Sequence, residues 1–242
     1  MRRGFFEWAA SQEADVICLQ ETRAQEHQLP PEAVALPGFT GYFVDSKRRG
    51  YSGVALYCRQ EPVDVRRTLG WPDTDAEGRF VQAGFGGVTV SSLYVPSGIT
   101  GPQRQAFKMD FLERLLAVLA QMRHSGRHHI VCGDFNIAHK AIDTYSPGRN
   151  SHVSGFLPEE RAWMDALVDQ LGWVDAFRVV NEAPKQYTWW SNWPAAWTRN
   201  LGWRLDYQLV TPELAASVRG ASIYKEARFS DHAPLTIDYD LP

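Results

Sequence analysis

The stretch His129-Ile130-Val131-Cys132-Gly133-Asp134-Phe135-Asn136 constrains this chain more than any other. Its short apolar run has the length and bounded ends of a buried strand, and it stops abruptly in Gly-Asp-Phe-Asn. A strand that ends this way presents polar groups at one rim of a sheet, where open α/β folds keep their chemistry. Taken alone, the residues read equally well as a strand-end turn, since Asp and Asn are common turn formers. The construction recurs, however. Ala14–Leu19 reads as a buried strand and closes in Gln20-Glu21-Thr22, while Val88–Val95 carries Tyr94 at its end. Arg204–Val210 alternates, with Leu205, Tyr207 and Leu209 on one face and Asp206 on the other. Asp231-His232 precedes a final strand with Leu235, Ile237 and Tyr239 on one face.

No linker or low-complexity segment interrupts the 242 residues, so a single domain over 1–242 is expected. Residues 4–13 read as a short amphipathic helix, and Tyr42–Asp45, Val54–Cys58 and Arg79–Phe85 as further strands. From Gln103 to Met122 the apolar residues Phe107, Phe111, Leu115, Val118, Leu119 and Met122 follow helical spacing. Pro158-Glu159-Glu160 opens another helix, which Gly172 stops. Arg123–His129 reads as a solvated loop entering the central strand. Cys18, Cys58 and Cys132 show no metal-ligand spacing and read as reduced core residues of a cytosolic protein. No run of 18 apolar residues and no signal-peptide pattern occurs, so a soluble cytoplasmic protein with no membrane partner is expected. A net charge of −3 excludes a generally basic nucleic-acid binder. A polyanion partner would need a local patch, and Lys47-Arg48-Arg49, in a glycine-punctuated turn, is a candidate.

Several carboxylates, one amide and one His at strand ends suit a hard cation that takes oxygen ligands. Mg²⁺ is the default, held by one or two carboxylates with water and phosphate in its other positions. Zinc would want more His or Cys than these places supply. A nucleophile elbow, a P-loop and a dinucleotide fingerprint are all missing from the sequence, which argues against those hydrolase, NTPase and dinucleotide-binding classes.

Eight short motifs occur in order: Leu19-Gln20-Glu21-Thr22, Gly53-Val54-Ala55-Leu56, Tyr94-Val95-Pro96-Ser97-Gly98, Gly133-Asp134-Phe135-Asn136-Ile137, Phe156-Leu157-Pro158-Glu159-Glu160-Arg161, Tyr187-Thr188-Trp189-Trp190, Trp203-Arg204-Leu205-Asp206-Tyr207 and Ser230-Asp231-His232-Ala233-Pro234. Together they resemble the exonuclease III type of abasic-site (AP) endonuclease, within the endonuclease/exonuclease/phosphatase superfamily. The resemblance runs from about residue 4 to about residue 240. It implies a four-layer α/β sandwich of two packed, mainly antiparallel sheets flanked by helices. That family opens with an Asn-bearing strand for which this sequence has no counterpart, so a fold lacking the first strand is expected.

Carried over residue by residue, the resemblance implies Glu21 as principal metal ligand and Asp231 as a second. Asp206 would orient a protonated His232 beside the scissile phosphate. Asp134 would align the attacking water or protonate the leaving oxygen, Asn136 would hold that water or a phosphate oxygen, and Tyr94 would bond the phosphate. Trp189, Trp203 and Leu205 would form an apolar pocket for an extrahelical abasic sugar, although buried Trp is also ordinary core. Lys47, Arg48, Arg49 and Arg204 would contact the DNA backbone. The implied activity is Mg²⁺-dependent cleavage 5′ to abasic sites in double-stranded DNA, with trimming of 3′ ends, by a monomer for which Mn²⁺ could substitute as the metal. Two alternatives stay open. One is a phosphodiesterase of the same fold acting on another substrate, such as an unspecific nuclease target or an inositol or phospholipid phosphate. The other is a catalytically impaired module that binds abasic DNA or DNA ends.

Overall fold

The computed structural model describes residues 4–241. They form two compact units, the first running through Tyr94 and taking in His129–Asp134, the second holding Val95–His128 and the chain from Phe135 onward. The chain passes between units immediately after Tyr94 and after Asp134, at two of the polar strand ends noted above. A division made inside continuous strand-end motifs leaves no linker in the sequence to mark it.

In the first unit, β1 (Val16–Gln20), β2 (Thr40–Val44) and β3 (Val54–Cys58) form an antiparallel sheet in the order β1-β3-β2. The strands β4 (Asp64–Arg66), β5 (Phe80–Phe85), β6 (Val88–Tyr94) and β7 (His128–Asp134) hydrogen-bond to one another in that order. All five residues of β3 are buried, because both of its faces are covered. Val54, Leu56 and Cys58 pack with Val81, Ala83 and Tyr94 of the other sheet. Ala55 and Tyr57 face the opposite way, onto Ala9 of the helix Phe5–Ser11 and onto Leu36 and Phe43. This period-2 alternation gives a helix–sheet–sheet stack, and it explains why Val54–Cys58 is an unbroken apolar run.

A polar seam crosses the space between the two sheets. Ser92 Oγ donates to the Leu19 carbonyl at 2.9 Å, and Gln20 Nε2 donates to Ser92 Oγ at 2.8 Å. Buried hydrogen bonds of this type contribute about 1 kcal/mol each, and these two pin the end of β1 just before Glu21. Gly133 serves a similar end in β7, since a Cβ there would collide with the Leu93 carbonyl. His129 is buried and bonded to Thr89 Oγ1 at 2.6 Å, which corrects its expected place in a solvated loop. The three cysteines are free thiols.

The second unit is built on the 22-residue helix Pro102–Arg123, which buries Phe111, Leu112, Leu115, Leu119 and Met122. Two indoles cap that face, Trp163 Nε1 on Leu112 O at 2.6 Å and Trp173 Nε1 on Leu119 O at 3.3 Å. The helix expected from Pro158 to Leu171 is α-helical only over Pro158–Asp165 and widens to a π-type turn over Ala166–Gln170. Strands β8 (Val174–Asp175) and β9 (Asp206–Val210) pair antiparallel, as do β10 (Val218–Ile223) and β11 (Leu235–Tyr239).

Strand β9 starts at Asp206, two residues later than its alternation suggests, because Arg204 turns inward. Arg204 is 1% exposed, with Nε 2.8 Å from Asp143 and Nη2 2.7 Å from Asp175, while Arg178 holds Asp143 at 2.7 Å. Its guanidinium lies 4.3 Å from the Tyr207 ring centroid. The expectation that Arg204 contacts DNA is therefore overturned: its charge is spent inside the protein.

Burial alone would raise the Asp143 carboxyl, but the Arg204 charge and the hydrogen bonds from both arginines outweigh it and bring the pKa down to about 2. A carboxyl depressed in the folded state contributes stability above its unfolded pKa near 4 and loses it as pH falls through about 2. We expect about 2 kcal/mol of the wild-type stability to vanish in that window. Urea titrations between pH 5 and 2 would show it, and Asp143→Asn should remove this part of the pH dependence.

Candidate active site

Three of the expected residues gather in the first unit. Glu21 follows β1 with a left-handed backbone (φ 56°), Tyr94 ends β6 and Asp134 ends β7. Tyr94 and Asp134 are buried, at 8% and 5% exposure, and the Glu21 side chain is 30% exposed. The Tyr94 hydroxyl donates to Glu21, and burial followed by the charges of Asp134 and Glu21 pushes its acidity far outside the usual phenol range. Tyr94 is thus held as a neutral donor among carboxylates. Arg79, 2% exposed, opposes this shift. Its guanidinium lies 4.7 Å from the Tyr94 ring centroid and Nη1 donates to the Tyr94 carbonyl at 2.9 Å. Sequence reading missed Arg79, since nothing in its strand pattern marks a buried cation.

The donor set fits a hard divalent ion only in its sparing form. Among the described residues no group of three or more His, Cys, Asp or Glu side chains is arranged as a metal cage. Mg²⁺ needs no such cage, because one or two carboxylates suffice when water and phosphate fill its other positions. Glu21 is the exposed carboxylate able to serve. Its Oε1 is held by Arg23, itself 63% exposed, at 3.0 Å from Arg23 Nε, so a cation would have to share or displace that partner.

The other expected residues gather in the second unit. His232 Nδ1 lies 2.8 Å and 3.1 Å from the two oxygens of Asp206, which fixes Nδ1 as a protonated nitrogen. Three short segments are laced together around this pair. Trp189 bridges both Trp203 and His232, Ala233 N donates to Thr188 O at 2.7 Å, and Trp190 N to Asp231 O at 3.0 Å. Thr188 Oγ1 receives both the Leu205 and the Asp206 N–H, at 3.0 and 3.2 Å. The indole N–H of Trp189 reaches the Asp231 carboxylate at 3.1 Å and orients that acid.

The three residues expected to line a sugar pocket belong to one packed hydrophobic cluster. Trp189, Trp203 and Leu205 come together with Phe156, Ala138 and Val153. Trp203 meets Trp189 edge-on at 6.4 Å and Phe156 at 6.2 Å. Phe156 sat in a recognised motif but was not assigned to the pocket; only the fold brings its turn against Trp203. Asn136, again left-handed (φ 51°), donates its side-chain N–H to Val95 O at 2.9 Å. Lys47, Arg48 and Arg49 are exposed in the turn between β2 and β3, with Arg48 over the Tyr51 ring at 5.1 Å.

Acids at the strand ends of the first unit and an aspartate-oriented imidazole in the second are groups that phosphodiester hydrolysis uses, and the chain is a phosphodiester hydrolase by family and by relatives. The chain belongs to the endonuclease/exonuclease/phosphatase family, whose model matches residues 2–232, and divalent-metal dependence is general in that family. It is 34% identical to the exodeoxyribonuclease of Bacillus subtilis (strain 168), covering 96% of this chain and 91% of that protein. It is 32% identical to the DNA repair nuclease APEX1 of Danio rerio, covering 98% and 77% of the two chains. An AP endonuclease structure from Archaeoglobus fulgidus superposes with a TM-score of 0.90 at 29% identity, over 98% of this chain and 93% of that one. No helix among the described residues is long and apolar enough to cross a membrane.

Proposed function

We propose that this protein is a Mg²⁺-dependent DNA-repair nuclease that cuts the phosphodiester 5′ to abasic sites and trims 3′ ends. The observation carrying this reading is the aromatic pocket of Trp189, Trp203, Leu205 and Phe156, laced by backbone hydrogen bonds to the His232–Asp206 pair. A nucleotide without its base leaves the helix at little stacking cost, and a tight apolar pocket excludes one that keeps its base. The relatives named as an exodeoxyribonuclease and a DNA repair nuclease support the same substrate class.

In this reading His232, oriented by Asp206, places positive charge beside the phosphate, where negative charge develops in the transition state. Tyr94, kept neutral, gives a hydrogen bond to a phosphate oxygen. Asp134 takes or returns the proton of the attacking or leaving oxygen, and Asn136 holds the water or a phosphate oxygen. Glu21 would hold Mg²⁺, which would supply charge to the non-bridging oxygens, and Asp231 is an acid of the second unit that Trp189 orients. Lys47, Arg48 and Arg49 hold the DNA backbone. The protein acts as a cytoplasmic monomer.

The test is cleavage of a duplex bearing one abasic site against an intact duplex of the same sequence, with Mg²⁺ and with EDTA. We expect the abasic strand to be cut on its 5′ side at least about 100-fold faster than the intact duplex, and EDTA to abolish cutting. Equal rates on both duplexes would remove the pocket from the account, and undiminished cutting in EDTA would remove the metal.

A further inference from the structure

Lys108 and Glu160 are both fully buried and sit 2.6 Å apart. A buried ion pair is a poor source of stability, because desolvation offsets most of its attraction, so what the pair holds is the informative point. Lys108 Nζ also donates to the main-chain carbonyl of Asn136 at 2.8 Å. Glu160 accepts the N–H groups of Gly155 and Leu157 at 2.6 and 3.0 Å, together with Gln105 Nε2 at 3.1 Å and Ser154 Oγ at 3.2 Å.

Both ends of this arrangement are conformations that need holding. Asn136 has a left-handed backbone, which Asn tolerates better than most L residues but still adopts as a minority conformation. Gly155 (φ 99°) lies so close that a Cβ there would stand 3.2 Å from the Asn136 carbonyl and 3.4 Å from the Trp203 ring. Ala138 N donates to Gly155 O at 2.7 Å, and the next residue, Phe156, meets Trp203 edge-on in the cluster proposed as the pocket.

We propose that Lys108, clamped by Glu160, is a positioning residue for phosphodiester cleavage: it fixes the backbone of Asn136 and, through its carboxylate partner, the turn that carries Phe156. One buried cation thereby joins the amide at the reacting phosphate to the pocket that selects the substrate. The inference rests on the proposed role of Asn136. The experiment separates the two.

The charge pair is removed together in Lys108→Met/Glu160→Gln, so that no buried charge is left alone, and kcat and KM are measured in wild-type and Asn136→Ala backgrounds. In the wild-type background kcat should fall about 10- to 100-fold, the scale of a misplaced reacting group, with KM changed by less than about 3-fold. In the Asn136→Ala background the same pair of substitutions should cost markedly less than in the wild-type background, because one of the two elements it holds no longer carries its amide and only the route through the Phe156 turn remains. Glu160→Gln alone keeps an oxygen acceptor for the turn while loosening the ammonium, and should show the same coupling if the double variant fails to fold. Equal losses in both backgrounds, or an unchanged kcat, would overturn the proposal. An Asn136→Ala protein as active as wild type would remove the role of Asn136 and this inference with it; a crippled Asn136→Ala protein with additive losses would remove this inference alone.

Discussion

Asp134→Asn is expected to lower kcat on an abasic duplex by about 10³-fold while leaving the protein at least as stable as wild type. The first half follows from chemistry: an amide of the same shape can neither take nor return a proton, whichever oxygen of the phosphodiester Asp134 serves. KM should change little, since the substitution removes nothing that holds DNA. The second half follows from electrostatics. Asp134 is 5% exposed, and its charge and that of Glu21 both press on the Tyr94 hydroxyl. Asparagine keeps the shape of the buried side chain and removes one of the two like charges that act on that hydroxyl. Active sites commonly hold stability of this kind in reserve. Thermal melts in EDTA and single-turnover cleavage in Mg²⁺ read the two halves independently. A kcat within tenfold of wild type would exclude Asp134 from proton transfer, and a melt lowered by several degrees would show that its charge is structurally required.

Much of the first unit was legible because its residues obey period 2. Val54–Cys58 was bounded residue for residue from its apolar run, and the Gly86-Gly87 turn separates β5 from β6 where the glycines place it. The candidate residues were legible for a different reason. Glu21, Tyr94, Asp134, Asp206 and Asp231 each sit at or beside the end of a hydrophobic segment, and a polar or charged group beside an apolar run is visible without knowing the fold. What stayed hidden is charge that is buried and paired over long separations. Lys108 is 52 positions from Glu160 and Arg204 is 61 from Asp143, while Arg79 pairs locally with Glu77 and lies 15 positions before the Tyr94 carbonyl it also bonds. Lys108 occupies the buried stripe of a helix whose apolar spacing, taken alone, assigns that place to a hydrocarbon. The short strands β4 and β8, with three and two residues, carry too few side chains for any period to show.

Arg204 is the sharpest of these cases, and it yields the second large effect. Arg204→Met should destabilise the protein by about 3–5 kcal/mol, lowering the melting temperature by about 10 °C for a chain of this size. The guanidinium is 1% exposed and answers two carboxylates: buried Asp143, which would keep only Arg178, and largely buried Asp175, which would lose its cation. Its neighbours Trp203 and Leu205 belong to the cluster proposed as the substrate pocket, so the loss of packing against Tyr207 should also lower activity on an abasic duplex. Had Arg204 been a DNA contact, as its motif suggested, the same substitution would leave the melt alone and reduce the salt dependence of binding. Arg49, exposed in the basic turn, supplies the comparison: Arg49→Met should leave stability within about 0.5 kcal/mol and lower the slope of log Kd against log salt by about 1. Measuring melts and salt slopes for both variants therefore tells a structural arginine from a phosphate contact. A pair of results with the two residues exchanged would mean that the buried network around Asp143 does not exist in solution.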